Sequence, residues 1–597
     1  MRGFRWQILA LLMAIVLFVI ALFSRSTGQT PQLNPTPLPP TSIASQTTAT
    51  PLPEATLSPT SDAPVVIPPP ETSAIPTYRE ALVGQVQRLN PLLAGLNPVD
   101  WDITSLIYEG LMRTNAYGEP EPALASGMPV ISFDGLEYVV ALRNDVLWQD
   151  GIPFTADDVV YTMSLLSSPD FPGLPELGAF WRTVETEKIN DNLVRFRLAQ
   201  PLGSFIEALR VGILPYHALQ GTTAAQIANH PFNLTPIGTG AYQLEALRGE
   251  GGRVQIVDLR VAPVYRQRPE GQTGYTVDRI SFALFDTFDG AVQALMSSAV
   301  DGYAARDRTE RAALVGLPNN FTTYTKIEPT VGMLIFNWSQ DDLPAFRDIR
   351  VRQALEIGLN RTSIIERHLS NQALLANSPL LEGSWAYAPD LAWPPFNAAQ
   401  ARDLIARADL ASPEATAEPE ATAEATAEVS ASLLSFNILT PDDPALINVA
   451  QEIAAQWTQL NLTVQVDVVD LVTYRARLES GDFDTALVEL SKNGSADPDV
   501  YNFWHQGQYP DGQNYGGAND RRISELLERA RSDANGVNRS TSYRQFQQAF
   551  IERAIAIPLY YPLYTYAMTT RISGVQLGFI ASPVDRFGTI QDWVLGN

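Results

Sequence analysis

The chain has 597 residues, 45% of them hydrophobic and 18% charged, and that length predicts roughly three or four folding units at about 150 residues each. Its 65 acidic residues outnumber 41 basic ones, and the formal charge of -24 opposes binding to nucleic acid or to an anionic lipid surface. Cysteine is absent and the four histidines, His217, His230, His368 and His505, lack metal-ligand spacing, so disulfides and thiol chemistry are excluded and a histidine metal site is not expected; no cofactor is expected either.

Arg2 and Arg5 precede an apolar run from Ile8 to Phe23, closed by Arg25. Residues 1–26 therefore read as a signal peptide or membrane anchor. The run is slightly longer than a cleavable core of about 7–15 residues, and Trp6 to Ser24 just supplies the roughly 17–25 residues that span a bilayer. An uncleaved anchor is the favoured expectation, and in either case the flanking charges place the rest of the chain outside the cytoplasm. Residues 27–77, with "TPQLNPTPLPPTS" and "TPLPEATLSPT", cannot bury a core and are expected to be a disordered stalk. At about 3.1 Å per residue such a stalk reaches on the order of 150 Å.

Beyond the stalk, Glu137 to Leu147 has the composition of a strand, and Asp150-Gly151 is a turn dipeptide. Thr155, with Asp158 three residues on, predicts a capped helix start, and Val159, Val160 and Met163 give that helix an apolar stripe. "PIGTGAY" (Pro236 to Tyr242) has two glycines but no third glycine or following helix pattern; it reads as a tight turn entering a strand. A helix after Asp348 carries Val351, Ala354, Leu355, Gly358 and Leu359 at helical spacing. The Ala/Glu/Thr/Pro run at 411–432 is read as a surface insertion, because lengthening a loop adds little closure entropy.

The alternation of strand and helix is clearest from Leu434 to Leu490. "LLSFNIL" predicts a strand, and Asp443-Pro444 opens a helix with Leu446, Ile447, Ala450, Ile453, Ala454 and Trp457 on one face. "LTVQVDVV", a short helix over Val472 to Glu479 and "FDTALVEL" complete a β-α-β-α-β run, which implies a largely parallel sheet covered by helices. "AIPLYYPLYTYAM" (Ala556 to Met568) is strand-like, and its prolines confine it to an edge or a crossing. In such α/β sheets the cleft between lobes is the default ligand site.

No phosphate loop, nucleophile elbow or zinc-protease motif occurs, and the neighbouring carboxylates Asp157-Asp158 and Asp341-Asp342 read as solvated caps. No enzymatic constellation is therefore expected. Trp338, Trp385, Tyr387, Trp504, Tyr515, Tyr560, Tyr561 and Tyr564 sit at loops or element ends. Each belongs either to the core or to a ring-lined cleft.

Five stretches then occur in order: "LNPLL" (Leu89 to Leu93), "LIYEGLMRTNAYGEPEPALA" (Leu106 to Ala125), "FDGLEYVVALRNDVLWQDGIPFTADDVVYT" (Phe133 to Thr162), "PIGTGAY" and "RDIRVRQALEIGLNR" (Arg347 to Arg361). Together they resemble the extracellular solute-binding protein family 5, the peptide/nickel-type substrate-binding subunits of ABC importers, from about Leu82 to the carboxyl end apart from the insertion. The resemblance implies an α/β, periplasmic-binding-protein type II fold with two hinged lobes and an extra subdomain on the first. Lobe I is expected over 78–330 with the subdomain at about 109–234, lobe II over 331–557, and a return to lobe I over 558–597.

The resemblance also implies the function: an extracytoplasmic, exported and membrane-tethered monomer that captures a peptide-like or other small solute between its lobes and delivers it to ABC permease subunits. A ligand-sensing receptor using the same clamp is the alternative. Peptide-binding members hold the peptide amino group with an aspartate three residues before a D-P or E-P step. Here that step is Asp497-Pro498 and the position is Gly494, so the anchor is missing, while Lys492 stands nearby. The family's cleft-facing loop points to Gly95, Leu96 and Asn97, and Lys492, Asn493, Gly494 and Ser495 face it from the other lobe. Trp338, Trp385 and Trp504 complete the candidate ligand-binding set.

Overall fold

The computed structural model describes residues 75–271, 273–369, 372–408, 434–492 and 494–596. The expected signal or anchor, the stalk up to residue 74, the insertion and Asn493 lie outside the described residues. The stalk expectation ran to residue 77, but Thr77 already opens the strand Thr77–Val83.

The corner at residues 150–162 forms as its residues dictate. Gly151 takes the left-handed turn conformation (φ +90°), and the helix Ala156–Ser167 starts with a capping box between Thr155 and Asp158. Val159 and Met163 are buried, and Val160 only in part. Asp158 is not a solvated cap. It is buried, accepting from the Trp148 indole at 3.2 Å and from the backbone amides of Thr155 at 2.9 Å and Tyr216 at 2.8 Å. Asp157 is solvated and pairs with Lys188 at 2.8 Å. The preceding strand stops at Ala141, short of the expected Leu147, where Arg143 and Asp145 pair across a turn at 2.6 Å.

This corner is tied to "PIGTGAY" by one side chain. Gln149 Oε1 accepts from Gly238 N at 2.8 Å, and its Nε2 donates to the carbonyls of Tyr242 at 2.8 Å and Gly240 at 3.2 Å. A Cβ on Gly238 would stand 1.8 Å from the Ile107 carbonyl oxygen, so only glycine permits that approach. The glycines serve close packing of backbone on backbone, and the strand Tyr242–Glu250 follows directly.

Among the described residues one twelve-stranded sheet runs through the molecule. Its lobe II part orders as Thr463–Val469, Ser435–Pro441, Thr485–Ser491 and Thr330–Phe336, and its lobe I part as Gly302–Ala304, Thr77–Val83, Arg279–Phe285, Arg253–Val261 and Tyr242–Glu250. Ile557–Thr569 joins them. Ser435–Pro441 pairs in parallel with both Thr463–Val469 and Thr485–Ser491, and the helix Pro444–Thr458 covers them with Leu446, Val449, Ala450, Ile453, Ala454 and Trp457 buried. Ile447, expected in that stripe, is half-buried and Val449 takes its place.

The pleat of Thr330–Phe336 sends Val331, Met333 and Ile335 into one apolar cluster and Leu334 and Phe336 into another on the opposite face, as a strand buried on both faces requires. Ile557–Thr569 is buried at every position. It is a crossing strand rather than an edge. Residues up to Pro562 pair with Thr330–Phe336 and Ala373–Leu375, and residues from Leu563 pair with Phe321–Ile327 and Gly302–Ala304. Proline at the point of changeover removes an amide exactly where one ladder ends and the next begins, a position where the missing donor is tolerated. The crossing thus lies about five residues beyond the expected start of the return at 558. A second sheet, Val130–Ile131, Glu137–Ala141, Leu193–Leu198 and Val184–Asn190, packs into the same apolar cluster as lobe I.

Candidate functional site

The chain passes between the lobes at Glu328-Pro329 and Pro562-Leu563, and elsewhere they meet across a seam. On the lobe II side is the loop after Thr485–Ser491, running through Lys492, Gly494 and Pro498. On the lobe I side are the short helix Phe205–Ala208 and the C-terminal stretch around Ala581. Gly494 N donates to the Ala581 carbonyl at 2.8 Å, Arg210 Nη1 donates to the Gly494 carbonyl at 3.2 Å, and Ala496 N donates to Glu207 Oε1 at 3.1 Å. Gly203 N donates to the Arg531 carbonyl at 2.7 Å, and Arg539 Nη1 donates to the Gly203 carbonyl at 3.3 Å. Beside the crossing strands, Arg308 of lobe I pairs with Asp443 at 2.8 Å and Glu489 at 2.6 Å. The lobes are therefore held closed by direct contacts.

The charges along this seam compensate one another. Asp497 and Arg539 form a buried bidentate pair with both N–O distances 2.7 Å. Burial works to lower the Arg539 guanidinium, but the Asp497 charge more than offsets it and holds the group above its ordinary range. Lys492 is half-exposed as a residue, yet its ammonium is enclosed and donates to the carbonyls of Asp497 and Asp499. Burial pushes that ammonium below the usual lysine range, against the raising effect of Asp497, Asp499 and Glu207. Arg210 pairs with Glu207 and lies 3.6 Å from Asp585, and Arg531 lies 3.5 Å from Asp499.

Against this loop lies a small cavity of about 20 Å³, partly open to solvent. Met333, Leu380, Leu490, Phe503 and Trp504 of lobe II form its apolar wall, Phe579 of lobe I reaches into it, and Lys492, Ser495 and Asp497 supply its polar side. Trp504 is fixed edge-on against Phe550, with ring centroids 4.9 Å apart. In the closed arrangement this space has room for about one water molecule.

Of the expected residues, Lys492, Ser495 and Trp504 come together at this cavity, and Gly494 sits on the seam beside it. Gly494 is not a loop position facing open space: its φ is +92°, and a Cβ there would stand 3.5 Å from Trp101 Cη2 of the other lobe. The cavity does not include Gly95, Leu96 or Asn97. Gly95 and Leu96 are exposed, a Cβ on Gly95 would approach Leu174 of the same lobe, and Asn97 caps the helix Pro98–Ile107 while donating to the Gln85 carbonyl at 2.8 Å. Trp101, one turn into that helix, is the residue that crosses. Trp338 lies instead under the Arg352 guanidinium at 3.8 Å, packed into lobe II. Trp385 borders the seam from within, 5.3 Å from the Arg539 guanidinium and edge-on to Tyr543.

Glu207, Arg210, Arg539, Phe579 and Ala581 had no signal in the sequence, because each acquires its role from a partner far along the chain. Asp497 was visible as the acidic residue of the D-P step, but its occupation by Arg539 was not.

The profile of the bacterial extracellular solute-binding proteins, family 5 (middle region), matches residues 119–511. The oligopeptide-binding protein AppA of Bacillus subtilis (strain 168) is 25% identical over 481 residues, covering 79% of this chain and 84% of the relative. A dipeptide-binding protein of Escherichia coli (strain K12) is 23% identical over 476 residues, covering 73% and 80%. Among solved structures, HbpA2 from Haemophilus parasuis superposes with a TM-score of 0.73 at 18% identity, covering 87% of this chain and 100% of that one.

Proposed function

The chain belongs to the bacterial extracellular solute-binding proteins, family 5, and on that premise we propose that it is the extracytoplasmic substrate-binding subunit of an ABC importer, closing its lobes on a peptide-like or other small solute and presenting it to a membrane permease. The observation that carries the reading is the seam. Two lobes joined, among the described residues, by strand crossings at 328–329 and 562–563 bond directly to each other along a seam that encloses a small cavity with a largely apolar wall. Opening is a rotation about those crossings that breaks the seam bonds.

The energetics suit a clamp biased by its solute. Each seam hydrogen bond contributes a net of about 0.5–1.5 kcal/mol, and shifting a clamp from 1:99 to 99:1 takes about 5.5 kcal/mol of differential affinity. The seam bonds recur at each closure, so contacts made by the solute only in the closed form supply the bias. In this reading the N-terminal apolar run tethers a monomeric clamp to the membrane, and the chain performs no chemistry on what it carries.

Mass spectrometry of the solute released on denaturing the purified chain, with small-angle scattering before and after that solute is restored, tests the proposal. A bound small molecule whose return lowers the radius of gyration supports it. A chain that carries nothing, and whose dimensions answer to no peptide or small solute, contradicts it.

A further inference from the structure

Arg308 is the first residue of the helix Arg308–Val315, a place where positive charge opposes the helix macrodipole. Its guanidinium serves a contact elsewhere: Nη1 donates to Asp443 Oδ2 at 2.8 Å and Nη2 to Glu489 Oε1 at 2.6 Å, both on lobe II. Each acceptor is fixed. Asp443 Oδ1 caps the helix Pro444–Thr458 through the amides of Ala445 at 2.9 Å and Leu446 at 3.1 Å, and Glu489 Oε1 also receives the Tyr560 hydroxyl at 2.9 Å. The contact lies on the face of the sheet away from the seam. Leu490 lines the small cavity, so Glu489, its neighbour in the strand, points to the opposite face, where Leu487, Tyr560 and the helix Pro444–Thr458 pack together. On lobe I the helix of Arg308 packs through Leu314 with Ala81, Val83 and Ala567, whereas Phe205 and Leu209 beside the seam belong to a separate apolar cluster. The lobes are thus clasped on both faces, by the seam bonds in front and by Arg308 behind.

We propose that Arg308 is a positioning residue for solute capture: it ties the closed lobes from behind the strand crossings and so raises affinity for a solute that it never touches. Both ends of the tie are anchored in regular elements, and hydrogen bonds of 2.6 and 2.8 Å are lost once their partners are displaced by about 1 Å. Rotation about the crossings therefore breaks the tie together with the seam bonds. A contact made only in the closed arrangement enlarges the closed fraction, and apparent affinity scales with that fraction. The Arg308, Asp443 and Glu489 side chains are 14%, 36% and 34% exposed, so salt reaches the contact and weakens it. The inference rests on capture by closure of the lobes and adds a residue that sets its affinity.

Calorimetry on the solute-free full chain uses one stock as titrant, the small-molecule fraction released from the purified parent chain on denaturation. Titrations are run at about 0.1 M and about 1 M sodium chloride, between which the Debye length falls from about 10 to about 3 Å. At the lower salt Arg308→Met is expected to raise the binding midpoint at least fivefold, and Arg308→Glu further, because a carboxylate there repels Asp443 and Glu489. Glutamate in the first turn agrees with the helix dipole, so the second variant keeps its helix. Asp443→Asn keeps a capping side chain and reaches the same tie from lobe II, with an expected rise of at least threefold. All three increases are expected to shrink at least twofold at the higher salt. Unchanged or lowered midpoints, or increases that salt leaves alone, overturn the inference while leaving capture intact. A released fraction that does not bind the parent again overturns both. Any one of the three variants that folds, as checked by circular dichroism, decides the matter.

Discussion

Asp497 and Arg539 are the residues whose separate and joint removal reads the seam most fully. Their side chains are 8% and 6% exposed and meet in two parallel bonds of 2.7 Å. Asp497→Leu leaves a guanidinium in place with its partner gone, and because that group does not give up its proton the expected loss is about 3–5 kcal/mol. Arg539→Met leaves an unpaired carboxylate and also deletes the bonds to the Ala530 carbonyl at 3.0 Å and the Gly203 carbonyl at 3.3 Å. The cost falls in the same range of about 3–5 kcal/mol. Replacing both, as Asp497→Leu with Arg539→Met, removes the buried charges together and is expected to cost only about 1–2 kcal/mol, since a buried pair exchanged for apolar side chains is close to neutral. Urea unfolding followed by tryptophan fluorescence supplies the double-mutant cycle. Single variants within about 1 kcal/mol of the parent, or a double variant that loses the sum of the two singles, would refute the assignment of this pair as a buried, mutually dependent unit.

Three further outcomes follow from the same structure. Glu356 is buried with Oε1 accepting no hydrogen bond among the described residues, and burial raises its carboxyl from about 4.5 to about 8 against the lowering effect of Arg361 and Arg352. With the folded value above the unfolded one, its contribution is fully present below about pH 4.5 and is lost as pH rises through about 8, by up to roughly 5 kcal/mol; Glu356→Gln should flatten that part of the stability profile in urea titrations, and a persisting slope would assign it to another group. Gly494→Ala places a side chain at φ +92° facing Trp101 and should cost about 1–2 kcal/mol, read as a lowered melting temperature; an unchanged value would mean that the loop relaxes freely. Deleting Ser412 to Val429 with a short Gly/Ser joint should leave the melting temperature within a few degrees, because that run carries almost no large apolar side chain to bury, whereas a fall of many degrees would show that it packs.

What could be read from the sequence was what short stretches decide by themselves. The Thr155-Asp158 box, the Asp443-Pro444 helix start and the alternation that gives Ser435–Pro441 its parallel neighbours each depend on residues within one or two turns. The proline-bearing segment after Ala556 was readable to the level of an edge or a crossing. Only its change of partners at Pro562 selects the crossing. Burial of charge was less legible. Asp158 looks like any helix cap until Trp148 and Tyr216 are seen to close over it. The seam was hidden almost entirely, since Arg210 reaches the Gly494 carbonyl across 284 positions and Glu207 reaches Ala496 across 289. Trp338 shows the converse. A tryptophan in a loop-like context invites a cleft assignment, but Arg352, supplied by the next helix, covers its face.

The claim at the centre of this account is that solute closes the lobes across the seam, and the absence of native cysteine makes it directly measurable. Phe133 of lobe I and Val537 of lobe II are both exposed, so the Phe133→Cys, Val537→Cys chain can carry a donor and acceptor dye pair without disturbing the core. Titrating the solute recovered from the purified chain into solute-free protein should raise energy transfer to a saturating plateau, at the same concentrations at which calorimetry detects binding. Saturable binding with transfer unchanged from start to finish would contradict closure as the means of capture.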